Sequence, residues 1–233
     1  ADIQMTVKPD LIAPGLSINS TVPPTGTLGS ASLYRSLSGT SMAAPHVAGA
    51  AALLRQYRPS WSPELVKSAL MNLAVDKGFN HFIQGSGRLD ISRLDQLSEM
   101  ISNPIIDFGI DDLSMEVWTQ DKFLTITNWG SNLRSYSLNL FDPLLPGINL
   151  SITPLNFTLA PGQSQEVHLE LVVDNLLLPN ATSAPYSYMI TFLLDDGILQ
   201  RKVPCSFLKM PLLDVQVNDD PWVIIVHNQI DML

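Results

Sequence analysis

The chain has 233 residues, 45% of them hydrophobic and 15% charged, a balance that buries a core and argues against intrinsic disorder. Thirteen basic side chains stand against 22 acidic ones, a formal net charge of -9, and no Lys/Arg cluster offers a surface to nucleic acid. The lone Cys205 rules out an internal disulfide and a multi-thiolate zinc site, and the apolar runs Val47 to Leu54 and Leu169 to Val173 stop far short of the roughly 20 residues of a membrane-spanning helix.

The chain opens Ala1-Asp2-Ile3-Gln4, without Met, basic region or apolar signal core, which reads as a cut inside a longer chain. Met42 to about Tyr57 predicts a helix with Ala, Val, Gly and Leu on every side, hence a central helix buried all round. Ser62-Pro63 then supplies an N-cap and a first-turn proline. Leu65, Val66, Ala69, Leu70 and Leu73 follow at helical spacing, predicting an amphipathic outer helix.

Composition changes near residues 98 to 104, where Ser102-Asn103-Pro104 marks a domain boundary. Beyond it Phe123 to Thr127 and Ser135 to Phe141 read as strands. Val167, Leu169, Leu171 and Val173 alternate with polar neighbours, as do Tyr188, Ile190, Phe192 and Leu194. Asp195-Asp196-Gly197 predicts a hairpin turn into Ile198 to Phe207, with Cys205 as a buried, inert thiol. At least six short strands imply an antiparallel β-sandwich over 103–210. Residues 211–233, with a strand pattern from Trp222 to Val226, read as the opening of a further module.

The chemistry lies in Ser38-Gly39-Thr40-Ser41-Met42-Ala43-Ala44-Pro45-His46-Val47-Ala48-Gly49. Gly39 and Thr40 form a turn that delivers Ser41 to the start of the helix, where unpaired N–H groups and the positive dipole end favour developing negative charge. The N–H of Ser41 itself could donate to an oxyanion. An isolated Gly-Thr-Ser is ordinarily no more than a helix cap. The longer run changes that reading.

From Gly39 to Gly49 the sequence is similar, residue for residue, to the nucleophile signature of subtilisin-like serine peptidases. Lys8-Pro9-Asp10-Leu11-Ile12-Ala13-Pro14-Gly15 resembles the strand and turn that precede the nucleophile. Pro59 to Glu64 resembles the start of the next helix, and Gly85-Ser86-Gly87-Arg88-Leu89-Asp90 the glycine turn that closes the catalytic domain. The resemblance covers residues 4 to 97. It implies an α/β subtilisin-like portion over 1–100, a parallel sheet with a buried central helix, with Ser41 as nucleophile and Thr40 and Met42 beside the substrate. For 103–210 a looser resemblance, carried by Asn103 to Gly109 and Phe123 to Asn128, is to fibronectin-like or immunoglobulin-like sandwiches.

The family's order of catalytic residues is Asp, His, Ser. Residues 1–40 contain no His, so the resemblance implies that the general base, its orienting Asp and the Asn oxyanion donor come from an upstream part of the catalytic domain. His46, five residues from Ser41, lies about 140° round the helix and points away from it, as a packed, hydrogen-bonded core residue. His81, His168 and His227 have no motif around them.

The implied protein is an extracellular or cell-surface endopeptidase acting on polypeptides, inactive as this fragment alone; the alternative is a surface or adhesion protein that kept the fold without the chemistry. Calcium is common in the family, but Asp111-Asp112, Asp195-Asp196 and Asp219-Asp220 read as turns, and no cofactor is assigned. Sequons at Asn19, Asn149, Asn156 and Asn180 fit a secreted glycoprotein, though a couple are expected by chance.

Overall fold

The computed structural model describes residues 8–27, 30, 32–94, 97–178, 186–198 and 200–210, together with the backbone of strands 213–217 and 224–228. Its contacts divide the chain into one compact unit from Lys8 to Pro104 and a second that starts at Ile105.

In the first unit, strands β1 (Ile18–Thr21) and β2 (Tyr34–Leu37) form an antiparallel hairpin, Ile18 opposite Leu37. Helix α1 spans Thr40–Tyr57 and helix α2 Pro63–Leu73; a single turn, α3 (His81–Gln84), and a short strand, β3 (Glu99–Ile101), follow. Helix α2 starts as its sequence dictates: the Ser62 hydroxyl accepts from the Leu65 N–H at 3.3 Å and Pro63 takes the first helical position. Val66, Ala69, Leu70 and Leu73 are buried, while Leu65 is exposed.

Helix α1 corrects the expectation of a helix buried all round. Only Ala50 and Leu54 are buried, while Leu53 is 52% and Tyr57 51% exposed. The helix is apolar on every side, but within this unit it is covered on one, by a cluster holding Trp61, Val66, Ala69, Leu70 and Met100. The expected parallel sheet is not seen among the described residues of this unit. The strand pairing within the unit is the antiparallel hairpin, and parallel pairing among the described residues here amounts to one bridge, Ile12 to Arg88. A parallel sheet needs strands joined by long crossovers, and one bridge does not build a ladder.

Asn72 ties α2 to β3. Its side-chain amide donates to the carbonyls of Ser68 and Ile101 at 2.7 and 2.8 Å and accepts from the Ile101 N–H at 3.1 Å. All of this is buried, so the pairing answers backbone groups that water cannot reach.

The second unit is built of strands: β4 (Ile106–Asp111), β5 (Val117–Asn128), β6 (Arg134–Leu140), β7 (Ile148–Thr153), β8 (Asn156–Leu159), β9 (Ser164–Asp174), β10 (Tyr186–Asp195) and β11 (Gln200–Lys209). One sheet has the order β4-β11-β10-β6-β8; in another β5, β9 and β7 are neighbours. The alternation read along residues 167–173 holds, with Val167, Leu169, Leu171 and Val173 fully buried and His168 and Glu170 outward. The rings of Trp118 on β5 and Phe207 on β11 meet at 5.7 Å between centroids.

The hairpin turn forms at Asp195-Asp196-Gly197, Gly197 taking φ 79° and giving its N–H to the Asp195 carboxylate at 2.7 Å. Asp196 pairs with Arg134. Pairing is not antiparallel throughout: β4 lies parallel to β11, Cys205 opposite Ile106. The opening and closing strands of this sheet share an edge, a non-local pairing that alternation along either strand does not reveal. Cys205 is buried, and burial pushes its thiol well up from the ordinary range, so it is inert. Strands β12 (Leu213–Val217) and β13 (Ile224–Asn228) pair antiparallel; Trp222 lies outside the described residues.

Replacing Asn72 with Ala should cost about 2–4 kcal/mol, since it leaves buried groups of Ile101 unanswered. Urea unfolding of the 233-residue chain reads this directly, and an unchanged midpoint contradicts it.

Candidate active site

The segment before the hairpin is fixed by the glycine turn at residues 85–87. The Ile12 N–H donates to Gly87 at 2.9 Å, Leu89 donates to the Ile12 carbonyl at 2.7 Å, and Ser86 to that of Asp10 at 2.9 Å. Gly85 has φ 60°, and a Cβ there would overlap the carbonyls of Pro9 and Asp10. Burial opposes ionisation of the Asp10 carboxyl, but Lys8 at 2.8 Å and Lys67 of α2 at 3.0 Å outweigh it and hold it below the usual carboxylate range.

From this anchored segment Gly15 reaches the turn ahead of α1. The Gly39 N–H donates to the Gly15 carbonyl at 2.8 Å, and Ser17 donates its N–H to the Ser38 hydroxyl at 2.8 Å, so the pairing of β1 with β2 continues to the mouth of the helix. Both glycines are required. Gly39 sits at φ 150°, and a Cβ on Gly15 would stand 2.8 Å from the Gly39 carbonyl oxygen and 3.3 Å from Ala43 Cβ.

The turn sets Thr40, Ser41 and Met42 as the first three residues of α1. Met42 and Ala43 both donate to the Gly39 carbonyl, at 3.0 and 3.3 Å, and no side chain caps the helix. Among the described residues nothing partners the N–H or the hydroxyl of Ser41. The side chain is exposed, with Met42 half-buried beside it. An uncapped helix N-terminus presents donors and the positive end of the dipole to whatever approaches.

Two neighbours of Ser41 bear on the turn. Pro45 is the sixth residue of α1 and has no N–H to give the Ser41 carbonyl one turn back. His46 is exposed instead of packed in a core; its Nδ1 lies 2.9 Å from the Met42 carbonyl. No described His is hydrogen-bonded to Ser41. His81 is buried with Nδ1 2.7 Å from the Gly85 carbonyl, and His168, in the second unit, has Nε2 2.6 Å from Asp121 and stacks on Phe123 at 4.8 Å. His227 lies outside the described side chains. No group of three His, Cys, Asp or Glu among the described residues could hold a metal ion. Sequence reasoning missed the Gly15 clasp, whose one signal was a Gly after Pro14, and, having expected His46 to be hydrogen-bonded, missed its partner, the Met42 carbonyl.

Residues 1–87 match the model of the Subtilase family. The minor extracellular protease Vpr of Bacillus subtilis is 36% identical over 141 residues, 57% of this chain and 17% of that protein. Subtilisin Savinase of Lederbergia lenta is 47% identical over 78 residues, 34% of this chain and 26% of that protein. The subtilisin-like protease SBT1.9 of Arabidopsis thaliana is 45% identical over 94 residues, 38% of this chain and 13% of that protein. The chain thus spans about a quarter or less of the length of these relatives.

Two glycines near this site should respond with opposite signs. Gly15→Ala forces its neighbours apart and should destabilise by about 1–3 kcal/mol, whereas Gly49→Ala, with open space around it inside α1, should stabilise by about 0.5–1 kcal/mol. Parallel urea titrations check both; equal effects would refute the close approach at Gly15.

Proposed function

We propose, from the premise that residues 1–87 are a segment of the subtilase family, that the chain carries the nucleophile end of a serine endopeptidase. At family level the relatives are proteases; the finer assignments are our own reading. Ser41 is the nucleophile that attacks the scissile carbonyl of a polypeptide substrate, and its N–H is a donor to the resulting oxyanion. Thr40 and Met42 line the substrate beside it. The observation that carries this is the position of Ser41 in the first turn of an uncapped helix, exposed, with hydroxyl and N–H both unpartnered among the described residues.

A hydroxyl in that seat still needs a base. We assign it, with its orienting Asp and the Asn donor, to a part of the catalytic domain outside residues 1–233, which docks against the exposed apolar face of α1. Alone, these residues are then inert. We read 1–100 as the end of the catalytic domain, 103–210 as a fibronectin-like sandwich and 211–233 as the start of a further module, in a protein of the cell exterior or surface; no cofactor is assigned. The absence of a base bonded to Ser41 among the described residues is also what a non-catalytic surface protein would present.

Fluorophosphonate labelling separates the two. The full-length encoded protein should be labelled and Ser41→Ala should abolish it, while the isolated 233-residue chain should label no better than when denatured. Labelling that survives Ser41→Ala excludes Ser41; an unlabelled full-length protein favours the non-catalytic reading.

A further inference from the structure

We infer that His46 is a positioning residue for Ser41, holding the first turn of α1 in place through the Met42 carbonyl; this rests on the reading of Ser41 as nucleophile. The reason is a gap in the ladder. Each residue of a helix gives its N–H to the carbonyl four back, and Pro45 has none to give to Ser41. The turn that carries the nucleophile is therefore short of one main-chain bond, on the residue whose N–H and hydroxyl must stay free for chemistry. It also has no side-chain cap.

The Ser41 carbonyl stays without that bond, and the next residue along adds a second one beside the gap, on the Met42 carbonyl that its own N–H already reaches. His46 turns its ring back along the helix, as long side chains in helices do, and places Nδ1 2.9 Å from the Met42 carbonyl. A carbonyl only accepts, so Nδ1 carries the proton. The ring bond reinforces the main-chain bond that already joins the carbonyl directly after Ser41 to the turn beyond the proline, without occupying any group of Ser41 itself. It also fixes the backbone of Met42, whose side chain lies beside the site. Donation from Nδ1 is available to the neutral ring in that tautomer and to the imidazolium alike, so protonation of His46 leaves the support in place.

The partner the ring needs is thus defined: a donor at the Nδ1 position and nothing else. Asn places an amide N–H close to that position; Phe keeps the ring and has no donor. In the full-length protein, the second-order rate of fluorophosphonate labelling at Ser41 should fall about 3- to 10-fold in His46→Phe and His46→Ala, the worth of one supporting hydrogen bond. His46→Asn should restore at least half the wild-type rate, with the pH profile of labelling unchanged. A Phe variant labelled as fast as wild type overturns the inference, and so does an Asn variant as slow as Ala. If wild type itself is not labelled, the nucleophile reading fails instead. Should the variants not fold, ¹⁵N NMR of the unmodified 233-residue chain decides: the His46 ring protonated at Nδ1 at pH 8 is expected, and the Nε2–H tautomer overturns it.

Discussion

The site depends on one backbone contact, the hydrogen bond from the Gly39 N–H to the Gly15 carbonyl. It joins a segment clamped by the glycine turn at 85–87 to the turn from which α1 starts, and it sets the direction in which Ser41 leaves the sheet-like hairpin and enters the helix. Its closeness forbids a Cβ at Gly15. Two glycines thus do what no side chain could: they bring two strands of backbone together and let the chain reverse into a helix without a cap.

That missing cap is a cost with a purpose. Helix N-termini are ordinarily closed by Ser, Thr, Asp or Asn, as α2 is closed by Ser62 and α3 by Asn80. In α1 the hydroxyls of Thr40 and Ser41 lie inside the helix and cannot serve as that cap, so the first donors stay open. Pro45 weakens the same turn further, and His46 braces it from one turn beyond. A terminus left unsatisfied in this way is more useful for binding developing charge than for stability.

Legibility followed locality. Helix α2 was readable because Ser62-Pro63 and the spacing of Val66, Ala69, Leu70 and Leu73 are local signals that the packing obeys. The Asp195-Asp196-Gly197 turn and the buried side of β9 were readable for the same reason. The surroundings of α1 were not: an all-apolar helix says that it is to be covered, not which residues cover it, and within this unit one side suffices only for Ala50 and Leu54. The parallel pairing of β4 with β11 joins residues about a hundred apart and leaves no mark in either strand. Ser41, Thr40 and Met42 are proposed on an eleven-residue run, whereas the Gly15 clasp and the ring of His46 became visible only with distances.

We propose that the start of α1 holds Ser41 with its hydroxyl free to attack and its N–H free to receive an oxyanion. A crystal structure of the full-length protein treated with a peptide boronic acid tests this. Boron bonded to Ser41 Oγ is expected, with one boronate oxygen accepting from the Ser41 N–H. Boron bound to another residue, or a Ser41 N–H engaged elsewhere in the intact protein, would contradict it.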